Sequence, residues 1–166
     1  RPTDRLAAGG DVSDSAVTPD GGRVVYRADQ VSDLRFDLFS VPIDGSPPAH
    51  GRPGDERRFG ARRLSAHPSN PAVQSGWVIS PDGSQVVYVA NADALQLLEL
   101  FRAPLDGSTA PVQLSAPMIA SGDVLSFAVA PDQGRVVYLA DQRLDNVNEL
   151  FSVPFGGRPG VALDLM

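Results

Sequence analysis

The chain has 166 residues, 42% apolar and 20% charged, with a formal net charge of −6, a globular composition long enough for one or two small domains. The negative excess repels phosphate backbones and anionic lipid, which argues against nucleic acid or an anionic membrane surface as partner. There is no cysteine, which excludes disulfides, thiolate metal sites and cysteine nucleophiles, and no apolar run approaches the roughly 18 residues of a membrane-spanning helix.

In chain order, residues 1–8 precede any repeat and are expected to act as a latch, lending an outer strand to a partner's blade. From Asp11 onward the chain repeats itself. Three segments align without a gap: SAVTPDGGRVVYRADQVSDLRFDLFSVPIDGS from Ser15, WVISPDGSQVVYVANADALQLLELFRAPLDGS from Trp77, and FAVAPDQGRVVYLADQRLDNVNELFSVPFGGR from Phe127. The offsets are 62 and 50 residues, and the excess in the first is a single insertion, because Arg63 to Ser65 realign with Gln113 to Ser115 at the plain 50-residue offset.

Each copy predicts strand, tight turn, strand, polar loop, strand, turn, strand. The first turn places proline at its first corner, where a fixed φ is suited, and follows it with Asp and then Gly at positive φ in two copies. In the third copy Gly134 stands one residue late, after Gln133, which predicts a hairpin one residue longer. The second strand, Arg23 to Ala28 and its equivalents, holds a Val-Val-Tyr run without clean alternation, the pattern of a strand covered on both faces. The third strand carries Leu-Phe and ends on Pro42, Pro104 or Pro154, where a ladder donor can be spared. Asp44-Gly45, Asp106-Gly107 and Gly156-Gly157 then turn the chain into a fourth strand. Blades are expected at 11–65, 73–115 and 123–165, with an insertion at 48–61 in the first. The fold class is therefore all-β, a β-propeller arc of three four-stranded antiparallel blades.

The SPDG-type turn, the Val-Val-Tyr strand and the E-L-F-x-x-P-x-D-G run resemble the blade motif of TolB-like, WD-repeat-like propellers, from about Asp11 to Leu165. That resemblance implies rings of six blades. Three blades leave two apolar faces open, which predicts self-association of three plus three blades or further blades in a longer chain. It also implies a periplasmic or extracellular setting, although no secretory leader is legible from Arg1 onward. The expected function is a non-enzymatic interaction or ligand-binding module that uses its rim loops on a protein or glycan. The alternative within the resemblance is the gating propeller of a prolyl oligopeptidase-like hydrolase, separated from its catalytic domain.

No catalytic set is read. A serine triad needs a histidine base, and only His50 and His67 exist, both in loops, with no GxSxG elbow. The loops between second and third strands are acidic, and Asp29, Asp33, Asn91, Asp93, Asp141 and Asp145 mark the expected partner-binding rim. Their density allows calcium at Asp141, Asp145, Asn146 and Asn148, but the spacing differs between copies, and local Asx turns account for the same residues. In the insertion, Arg52, Arg57 and Arg58 form a basic loop that either meets an acidic partner or is simply solvated. Trp77, in the column of Ser15 and Phe127, is expected to pack between blades, with a ligand platform as the other reading. Every glycine cluster has a turn explanation, so no phosphate loop and no cofactor is expected.

Overall fold

The computed structural model describes residues 10–46, 61–65, 72–91, 97–157 and 163–165. The latch at 1–8, nearly all of the insertion at 48–61, both histidines, Asp93, Arg52, Arg57 and Arg58 lie outside the described residues.

The chain is all-β, with three antiparallel sheets following one another in sequence. The first contains β1 (Val12–Val17), β2 (Arg23–Ser32), β3 (Arg35–Pro42) and β4 (Arg62–Arg63). The second contains β5 (Ala72–Val73), β6 (Val78–Ile79), β7 (Gln85–Asn91), β8 (Leu98–Pro104) and β9 (Val112–Gln113), and the third β10 (Val124–Val129), β11 (Arg135–Ala140), β12 (Glu149–Pro154) and β13 (Leu163–Asp164).

The repeat in sequence is a repeat in register. Val17 pairs with Val24, Ile79 with Val86 and Val129 with Val136 across the three tight turns. On the next strand pair, Tyr26 faces Phe39, Tyr88 faces Phe101 and Tyr138 faces Phe151. The three pairs stack with ring centroids 5.4, 5.8 and 5.3 Å apart, so one cross-strand aromatic pair anchors each sheet. The aspartate of each turn holds the corner: Asp20, Asp82 and Asp132 each accept a backbone N–H two residues ahead, at 2.9 to 3.0 Å.

Two expectations are corrected. The third hairpin is not longer; Gln133 itself takes the left-handed conformation at φ 56°, in the place of Gly21 at 69° and Gly83 at 71°. A two-point contact to the neighbouring turn accompanies that strained backbone: the Gln133 amide, with its nitrogen toward Asp82, donates to Asp82 Oδ1 at 3.0 Å and accepts from the Asp82 N–H at 2.9 Å. The first strand of the middle sheet is also not continuous. It breaks into β5 and β6, both paired with β7; Gln74 N–H still donates to Val89 O at 2.8 Å, and Ser75 to Trp77 then bulge away from the ladder around Gly76 at φ 87°. The outer copies carry a smaller irregularity at the matching place, between Val12 and Asp14 and between Val124 and Ser126.

Alternation along β7 and β8 sends side chains to opposite faces. Val86, Tyr88, Ala90, Phe101, Ala103 and Leu105 pack against Val25, Leu38 and Leu64 of the first sheet. Val87, Val89, Leu100 and Leu114 pack against Val124, Val136, Tyr138, Phe151, Val153 and Phe155 of the third. The middle sheet is thus covered on both sides, as its Val-Val-Tyr run predicts. Among the described residues no further sheet stands on the far side of either outer sheet, and the same run in β2 and β11 leaves Val24, Tyr26, Val137 and Leu139 half-buried.

Candidate interaction surfaces

Three surfaces can meet a partner: the loop rim after the second strands, the grooves beside the split strand, and the outward faces of the first and third sheets.

At the rim, the acidic residues divide into two kinds. Asp29 is buried; its Oδ1 accepts from the Asp11 N–H and its Oδ2 accepts from the Leu34 N–H at 2.9 Å. Asp141 repeats this arrangement, accepting from the Asp123 N–H at 2.6 Å and the Asn146 N–H at 3.2 Å. In the middle sheet Asn91 occupies the same column and accepts from the Ala72 N–H at 2.7 Å. Asp29 and Asp141 each tie the start of the sheet to the loop after the second strand, and Asn91 ties the start of its sheet to the end of β7. The bonds from the Asp11 and Asp123 amides, and then those from the Leu34 and Asn146 amides, favour the ionised form and hold both aspartates below the usual carboxylate range. Both oxygens of each are therefore occupied by backbone donors. Asp33, Asp145, Asn146 and Asn148 are exposed instead. Among the described residues no three His, Cys, Asp or Glu side chains gather in a way that could hold a metal ion.

The structure puts apolar residues at the tips of these loops, which the reading from acidic residues missed. Leu34 is 84% exposed and sits in the left-handed region at φ 61°. That conformation suits glycine or asparagine, and in the third sheet Asn146 fills it at φ 60°. Val31 lies beside Leu34, and Leu144 and Val147 flank Asn146; all three are exposed. The signal available in sequence was an aliphatic residue inside an otherwise polar loop. It is weak, because single exposed leucines are common.

Trp77 packs against the core between the first and second sheets, and its indole N–H donates to Asp14 of β1. It therefore bridges two sheets. On either side of its bulge run two open grooves. One, of about 510 Å³, lies between β1 and β6; the other, of about 380 Å³, lies between Gln74 to Gly76 and β10.

The outward sheet faces also carry exposed apolar side chains. In the column of Leu105 and Phe155, both buried, the first sheet has Ile43 at 55% exposure; in the column of Leu64 and Leu114, both buried, the third has Leu165 at 50%.

No protein-family model and no curated protein matches this chain. Among solved structures it is similar to a prolyl endopeptidase, from work on two such enzymes and the role of inter-domain dynamics in their catalysis and specificity. The identity is 15% and the TM-score 0.41, over 99% of this chain and 30% of that one. Similarity at that level carries no weight for activity, and the chain spans under a third of that structure's length.

Proposed function

We propose that this chain is a propeller-type module of the TolB-like kind that works by binding rather than by catalysis, with its partner docking on the rim formed by the loops after the second strands. The observation that carries this reading is Leu34. A bulky side chain in the left-handed region costs about 1–2 kcal/mol of backbone strain, and here the side chain recovers nothing by burial. Strain kept at an exposed position fits a residue retained for contact.

The chemistry of the tips favours a protein over a glycan. Leu34, Val31, Leu144 and Val147 are aliphatic, and Asp33 and Asp145 stand beside them. Such a surface suits apolar side chains flanked by arginine or lysine, and among the described residues of the loop tips no exposed aromatic face is present to stack on a sugar ring.

The test uses a peptide array that compares cationic aliphatic sequences with acidic and neutral ones. Binding of the cationic aliphatic set is expected, with loss in Leu34→Asn and Leu144→Asn variants. Asparagine tolerates the backbone at position 34, so melting temperature should hold or rise in that variant. Peptide binding indifferent to both substitutions would place the docking surface elsewhere.

A further inference from the structure

We propose that a second copy of this chain covers both open faces, the outward face of the third sheet in one copy packing head to tail on the outward face of the first sheet in the other. The inference rests on the blade reading and not on the rim as a docking site, so the two can fail separately.

The chain itself displays the required interface twice. At each internal joint, the face carrying the Val-Tyr-Phe column of the later sheet meets the face carrying the Val-Leu-Leu column of the earlier one. At the first joint, Val86, Tyr88, Phe101 and Leu105 lie on Val25, Leu38 and Leu64. At the second, Val136, Tyr138, Phe151 and Phe155 lie on Val87, Leu100 and Leu114. The uncovered faces are one of each kind. The first sheet turns Val24, Tyr26, Val41 and Ile43 outward, and the third turns Val137, Leu150 and Leu165 outward. The equivalence of Leu165 with Leu64 and Leu114 is set by backbone bonding: Leu64 N–H donates to Leu38 O, Leu114 N–H to Leu100 O and Leu165 N–H to Leu150 O, at 2.7, 2.7 and 2.8 Å. Each open face thus has its complement at the opposite end of the same chain.

Backbone close approaches show the same vacancy. A Cβ on Gly83 would stand 3.1 Å from Pro19 Cδ of the first sheet, and one on Gly107 would stand 3.3 Å from Arg62 Cδ. Their equivalents in the first sheet, Gly21 and Gly45, have nothing within 4 Å. In the head-to-tail joint Pro131 of the other copy comes to Gly21 as Pro19 comes to Gly83, and Leu163, 56% exposed, comes to Gly45 as Arg62 comes to Gly107. Ile43 then meets Val137, Leu150 and Leu165. Phe39, stacked on Tyr26, is already buried, so the gain lies at the side chains around it.

Two such joints between two copies satisfy all four open faces. The test is molar mass by light scattering and sedimentation at micromolar concentration, for the chain itself, Ile43→Asp, Leu165→Asp, and an equal mixture of the two variants. The wild-type chain should have the mass of two copies. Each variant spoils one side of both joints, and its self-association should weaken by about 100-fold or more, with a melting curve that shows it is folded. Mixing should restore a one-to-one pair, since the third sheet of the Ile43→Asp copy and the first sheet of the Leu165→Asp copy are both intact. A monomeric wild type, a mass other than two copies, disruption by only one of the variants, or no restoration on mixing would each overturn the proposal.

Discussion

Leu64, Leu114 and Leu165 occupy one column of the repeat and differ in what covers them, so replacing each by alanine reads the stacking of the sheets directly. Leu64 is 2% exposed, Leu114 0% and Leu165 50%. Removing three buried carbons costs about 0.8 kcal/mol each in transfer, and the cavity left between two sheets adds to that, so about 3 kcal/mol is expected at Leu64 and at Leu114. At Leu165, in a chain diluted until it is monomeric, half of the transfer cost and no enclosed cavity leave about 1 kcal/mol. For a chain of this size 1 kcal/mol moves the melting temperature by about 2–4 °C. The expected losses are then roughly 6–12 °C for the first two variants and 2–4 °C for the third, by circular dichroism melts at submicromolar concentration. At high concentration the Leu165→Ala loss should grow toward the others as self-association covers the site. Equal losses at all three positions under dilute conditions would refute the claim that the outer face of the third sheet is open.

Two other substitutions test the bonds that set the loops. Asp29 and Asp141 have depressed folded-state values, from the Asp11 and Asp123 amides first, so their contribution is present above the ordinary carboxylate range near pH 4 and lost as pH falls through the folded value. Melts from pH 6 to pH 2.5 should show Asp29→Asn and Asp141→Asn less stable than wild type at pH 6, with the gap closing in acid; a gap constant with pH would show that charge is not what holds the loops. Ser65 accepts from the Leu38 N–H at 3.1 Å and donates to the buried Asp37 at 2.8 Å, and Ser115 accepts from the Leu100 N–H at 3.1 Å. Alanine at either position leaves a buried donor without its acceptor and should cost about 1–3 kcal/mol in denaturant melts, while an unchanged midpoint would mean the amide finds another partner.

What was readable in the chain was local and repeated. Val-Val-Tyr and Leu-Phe fix strand character, Pro-Asp-Gly fixes a corner, and recurrence at 50 residues shows that one supersecondary unit is used three times. These signals depend on side-chain shape and backbone φ within a few residues. The left-handed Gln133, the bulge at Ser75 to Trp77 and the burial of Asp29 beneath an exposed Leu34 depend on atoms far along the chain: Asp82, β7 and Asp11.

The amino-acid order alone determined all-β character and one antiparallel strand unit used three times, since a period of two assigns the side chains of each strand to one face or the other. Which faces found a neighbour was decided only in three dimensions, because identical Val and Leu columns are buried where another sheet stands beside them and half-exposed where none does.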